Sequence, residues 1–166
     1  MHGDKPMGEG KTEPVKLQAT VSALLEECRM VLPGIQALFG FQLIAIFSQG
    51  FDEKLTASQQ QIHFAALFLI AVSAAVIMTP AAVHRQTQQR TISERFVWLS
   101  SKLLLLSMVP LAMGLTLDVY LIGCAIFDSF ALAAMSALML VVLLFVLWFA
   151  IPRRERLKAG KMHLPD

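Results

Sequence analysis

Apolar residues gather in four blocks along this chain, roughly 33–51, 62–83, 96–122 and 130–151, with short polar stretches between them. Each block holds the ~20 predominantly apolar residues that a helix needs to cross about 30 Å of hydrocarbon. The pattern predicts an all-α fold, a four-helix transmembrane bundle occupying residues 33–151. Residues 15–32 read differently. Leu17, Val21, Leu24, Leu25, Cys28 and Val31 recur at three- and four-residue steps, while Lys16, Gln18, Thr20, Ser22, Glu26, Glu27 and Arg29 cover the other side. That is an amphipathic helix. Pro33-Gly34 follow it, and proline removes a helix donor and disfavours helical geometry in the residue before it, so a bend is expected there. The simplest arrangement is an interfacial helix that turns into the bilayer. The alternative is one long kinked helix reaching out of the membrane.

Within the blocks, small and polar residues mark where helices meet. The second block carries Ala65, Ala66, Ala71, Ser73, Ala74, Ala75, Ala81 and Ala82. Such residues let helix backbones approach closely, which a lipid-facing surface does not require. In the third block, Ser100, Ser107, Gly114 and Asp118 are spaced seven, seven and four apart and share one stripe. That block is longer than a straight crossing needs, so it either tilts or ends in an apolar outer turn at 121–127. In the fourth, Ser129, Ala133 and Ala137 form a small-residue ridge, Asp128 or Ser129 is placed to cap the helix, and 138–149 is almost uniformly large and apolar. Pro152 is expected to stop that helix, leaving 152–166 as a basic tail.

Charge orients the bundle. Of 166 residues, 56% are hydrophobic and 16% charged, against about 25% charged in a soluble domain. If the amino terminus is cytoplasmic, 13 of the 14 basic residues fall on the inner side and only Lys54 lies outside. The positive-inside rule then places both termini in the cytoplasm. Trp98 and Trp148 fall near the inner interface and Tyr120 near the outer one, where amphipathic rings settle. The basic tail is positioned for anionic lipid headgroups. Residues 1–14, with Asp4, Lys5, Glu9, Lys11 and Glu13 and no apolar core, read as a disordered cytoplasmic tail rather than a cleavable signal peptide.

Candidate chemistry is sparse. There is no Gly-rich phosphate loop, His-Glu-x-x-His pattern, paired-cysteine site or nucleophile elbow, and the four histidines (2, 63, 84 and 163) are scattered. No enzyme, metal, cofactor or nucleic-acid partner is expected. Two groupings stand out. An ion or proton path is drawn by Asp118, Ser107 and Gln36, because ionisable residues inside a membrane are costly and usually functional. The competing reading puts Asp118 at the outer headgroups. Gln36 and Gln42 are the polar side chains at depth in the first block, where amides often bridge helices. The second grouping is an inner-edge cluster of Glu26, Glu27, Arg29, His84 and Arg85. Antiparallel neighbours joined by a short outer loop would bring these to one depth, as a salt-bridge network or a pH-sensitive latch.

The same residues carry a resemblance. Glu27, Arg29, Pro33 and Gly34, in an E-x-R-x-x-L-P-G element, together with Pro80, His84 and Arg85, in a P-A-A-x-H-R element, resemble an uncharacterised family of small bacterial and archaeal membrane proteins. The likeness runs from about Leu24 to Phe149. It implies a four-span protein of the cytoplasmic (inner) membrane with no assigned function, and some members carry a sodium:proton antiporter label. Two functions follow as expectations. One is a non-catalytic helix-bundle subunit, a homo-oligomer or part of a larger membrane complex. The other is a proton-coupled cation transporter acting as an oligomer.

Overall fold

A computed structural model describes residues 9–86, 94–127 and 129–161 of the chain. The described residues form helices α1 (Glu9–Ile46), α2 (Phe51–Lys54), α3 (Ala57–Gln86), α4 (Glu94–Ile126), α5 (Phe130–Phe145) and α6 (Ile151–Lys161), with a π-helical turn at Val146–Ala150 joining the last two. Stretches of α1, α3 and α4, and the run from α5 into α6, are each long and apolar enough to cross a membrane. Their surfaces confirm which solvent they are built for. Phe47, Phe130 and Met139 are 85%, 74% and 72% exposed, amid a continuous population of exposed Leu, Ile, Val and Phe. A water-soluble monomer rarely exposes apolar patches beyond a few hundred Å². The chain is a multi-pass helical membrane protein.

The leader and the first span are one helix. The bend expected at Pro33-Gly34 is not present as a break, since α1 continues through it, and the helix already begins at Glu9, inside the segment read as disordered. The reason lies in packing. Val21, Cys28, Ile35 and Gln42 are all buried and lie seven residues apart, so one stripe runs past the proline on both sides. Pro33 sits on the exposed side of this helix and loses a single hydrogen bond. The bonds and contacts on either side hold the helix together.

The seven-residue step recurs in the neighbours. In α3 it links His63, Ile70 and Ile77, and separately Ala66, Ser73 and Pro80; in α4 it links Ser100, Ser107, Gly114 and Leu121. This is the spacing that keeps one seam facing a partner in left-handed helix packing. Helices α1, α3 and α4 meet around Cys28, Ile35, Ile70 and Ile77, with Leu104 and Leu111 against them. The tightest seam joins α3 to α4. Ser73 Oγ donates to the Ser107 carbonyl at 2.8 Å, and a Cβ on Gly114 would stand 2.8 Å from Ile70 Cγ1 and 3.1 Å from the Ala66 carbonyl. Helix α5 hangs on the far side of α4, where a Cβ on Gly123 would lie 2.9 Å from Ala133 Cα. The ridge of Ser129, Ala133 and Ala137 therefore works within the chain.

Three terminations differ from expectation. Helix α4 runs unbroken to Ile126, so the apolar outer turn at 121–127 is helix almost throughout. Pro152 does not stop the fourth span: the π-helical turn before it takes up the missing donor and the chain continues as α6. Ser129 occupies the N-cap position of α5 without a side-chain cap bond, and Asp128 lies outside the described residues. The start of α3, in contrast, is firmly built. Thr56 N donates to Gln59 Oε1 at 2.9 Å and Gln59 N to Thr56 Oγ1 at 3.4 Å, a reciprocal capping box.

Candidate functional site

Because successive spans are antiparallel, the chain has a terminal end, where α1 begins and α6 finishes, and an opposite loop end. At the loop end the three buried stripes finish in polar residues. Gln42 lies four residues before the end of α1, His63 six residues into α3, and Asp118 eight residues before the end of α4. At 1.5 Å per residue these are depths of about 6, 9 and 12 Å below their helix ends. Antiparallel pairing levels them into one layer.

Two hydrogen bonds and one longer contact link the layer. Gln42 Nε2 donates to Asp118 Oδ2. His63 Nε2 lies 3.1 Å from the Gln42 backbone carbonyl, and His63 Nδ1 lies 4.0 Å from Asp118 Oδ1. Gln42 and His63 are 7% and 8% exposed, and the Asp118 side chain 19%. A backbone carbonyl only accepts, so His63 Nε2 carries the hydrogen of that contact. Nδ1 then faces a carboxylate oxygen. At 4.0 Å the two atoms are beyond direct hydrogen-bond reach, so imidazole and carboxylate face each other across a short gap.

One atom of the layer is left over. Gln42 Oε1 is buried and has no hydrogen-bond partner, an arrangement that costs about 1–3 kcal/mol when nothing fills it. Gln42 lines a cavity of about 690 Å³ between α1 and α4, which His63 also lines. The roof is α2. Phe51 meets the His63 ring edge-on at 5.4 Å, and Gln60 Nε2 bonds Asp52 Oδ1 (3.2 Å) and the Leu55 carbonyl (3.3 Å), tying this short helix to α3. Phe41, Leu115 and Ile122 make most of the wall apolar, and Lys54 stands exposed at the rim.

The expected site residues divide. Asp118 lies at the centre of the layer. Ser107 is buried in the α3–α4 seam, its hydroxyl on the Leu104 carbonyl, and does not line the cavity. Gln36 is exposed on the outer face of α1, and Gln42, six residues further on, is the amide that reaches Asp118. At the terminal end, Glu26, Glu27, Arg29, His84 and Arg85 are all exposed, and no ion pair joins them among the described residues. His84 stacks on Phe96 at 5.7 Å, whereas Glu27 borders a groove with Trp148 and Arg156. The expected cluster is thus split between two neighbours. His63, dismissed as one of four scattered histidines, is the residue that sequence reasoning missed. Among the described residues, no three His, Cys, Asp or Glu side chains are grouped to hold a metal.

No curated protein and no solved structure matches the chain. Residues 10–152 match a family description, which agrees with the resemblance to an uncharacterised family. As that match covers most of the chain, the protein belongs to the family of unknown function DUF6328.

Proposed function

We propose that the protein is a proton-coupled cation carrier of the cytoplasmic membrane, working as an oligomer, with Gln42, His63 and Asp118 as its protonation and binding site. The observation that carries this reading is a buried imidazole 4.0 Å from a carboxylate, beside an unpartnered Gln42 oxygen and an open cavity. Next to the spare acceptor the layer holds two titratable side chains, an imidazole and a carboxylate. With both termini cytoplasmic, as the basic residues suggest, the cavity belongs to the outer half of the membrane. Acid-loaded proteoliposomes test the reading with sodium, potassium and a permanently charged organic cation added in turn. At least one should collapse the pH gradient beyond empty vesicles, and Asp118→Asn should abolish that component. Absence of any protein-dependent collapse at every pH tried ends the proposal.

A second reading, an accessory subunit of a larger complex, draws on one feature. Helix α5 packs on α4 at the bundle's margin, and a groove of about 370 Å³ at the terminal end runs past Glu27, Val31, Ser101, Trp148 and Arg156. Intrachain packing takes up Ala66, Ser73, Ala133 and Ala137, whereas Ala65, Ala75, Ala81 and Ala82 stay exposed on α3. Mild-detergent extraction at native abundance separates the readings: a heteromeric species far above 18.3 kDa plus its micelle favours the subunit, and a homo-oligomer the carrier.

A further inference from the structure

The cavity is poorly matched to a bare inorganic ion. Its volume of about 690 Å³ falls in the range of small-molecule sites, about 300–1,000 Å³. Apart from the polar layer and Lys54 at the rim, the residues that close it are largely Leu, Phe, Ile, Val and Ala. An alkali ion would need several oxygens around it, and the layer offers one carboxylate and one amide oxygen. A ligand that fills this space must bring an apolar body.

Its polar end is specified by what the layer lacks. Gln42 Oε1 can only accept, is buried and has nothing to accept from. Asp118 Oδ1 faces His63 Nδ1 at 4.0 Å. A group that supplies N–H donors and a positive charge would satisfy the amide oxygen and set its charge beside the carboxylate. Phe41 and Phe51 border the same space and offer ring faces of the kind that attract cations. The charged and titratable groups that line the cavity are His63 on α3, Asp118 on α4 and Lys54 at the exposed rim on α2, with Asp52, engaged by Gln60, and Glu53 beside Lys54 on the same short helix.

Resting on the proposed carrier site, we infer that its ligand is a lipophilic organic cation bearing N–H donors, an aralkyl-ammonium or -guanidinium. The N–H end docks on Gln42 Oε1 and Asp118, and the apolar body lies along α1 and α4 beneath Phe51. One cation enters as one proton leaves the His63–Asp118 pair to water, so the site's net charge is conserved.

Phenethylguanidinium is the probe, because it stays charged and does not cross bilayers as a neutral base. Binding to the purified full chain in nanodiscs should be saturable and release close to one proton per ligand into weak buffer. Phenethyltrimethylammonium, with the same body and charge but no N–H, should bind about tenfold more weakly, and uncharged phenethyl alcohol more weakly still. Gln42→Leu should bring the two cations' affinities together, removing the guanidinium's tenfold advantage. Ala45→Phe, on the cavity wall away from the polar layer, should block all three and so covers the case in which Gln42→Leu fails to fold. Equal binding of the two cations to the wild-type chain, or no saturable binding, overturns the inference. Vesicles in which sodium or potassium but not phenethylguanidinium collapses the gradient overturn it too while leaving the carrier reading intact. Saturable, proton-releasing binding without flux in any vesicle sustains the inferred ligand and sinks the carrier.

Discussion

Helix α4 meets its two core neighbours in opposite ways. Against α3 the helices are drawn close by Ala66, Ser73, Ser107 and Gly114, with a serine hydroxyl bonded straight onto the facing backbone. Against α1, toward the loop end, the helices part and leave the cavity that Gln42 and Asp118 border. The contrast separates scaffold from site. A membrane helix pair gains little from hydrophobic burial, because lipid is as apolar as the partner, so close backbone packing supplies the attraction. Where packing is relinquished, the polar groups left at the gap are there for something else.

Matched substitutions break or sharpen this contrast. Gly114→Leu forces a side chain into space already held by Ile70 and the Ala66 carbonyl, and should cost the upper end of about 1–3 kcal/mol in reversible denaturation in mixed micelles. Ala45→Phe adds more volume on the cavity side and should change stability by less than about 0.5 kcal/mol, as for a surface substitution away from packed features. Equal costs would mean that the gap closes in the membrane and that α4 has two seams.

A smaller effect tests the seam's polar contact. Ser73→Ala removes the hydroxyl that donates to the Ser107 carbonyl and should cost about 0.6 kcal/mol, the average for such bonds between membrane helices. A cost of several kcal/mol would imply that Ser73 organises more of the interface than one bond. No change at all would place the attraction entirely in the small-residue packing.

The span pattern was plain in the residue order because a bilayer crossing demands ~20 apolar residues whatever the function. The α4 stripe was equally plain, since seven-residue steps put Ser100, Ser107 and Gly114 on one face in any helix of that pitch. The site was only half visible. Asp118 drew attention as a carboxylate in an apolar run, but His63 sits at the edge of the 62–83 block, just after Ser58, Gln59, Gln60 and Gln61, where a polar residue is unremarkable. Its burial depends on a capping box that starts α3 at Ala57 and so carries His63 into the second turn. Extending the α1 row from Val21 through Cys28 and Ile35 would have reached Gln42 rather than Gln36. The assumed break at Pro33 interrupted that row. A propensity rule about one residue outweighed a periodicity spread over about four turns, and periodicity was the stronger constraint.

The weakest expected effect concerns the terminal end, where the chain places more charge than anywhere near its cavity. Glu27 and His84 border different neighbours, and both are exposed, so Glu27→Gln and His84→Gln should each shift stability by less than about 0.5 kcal/mol. A double-mutant cycle should return a coupling near zero, since side chains without a shared partner add independently. A coupling of about 1 kcal/mol or more would show that the two meet after all, in an assembly of several copies or in a second conformation. In that event the terminal end would also hold a site, and the ranking of the buried layer above the exposed charges would fail.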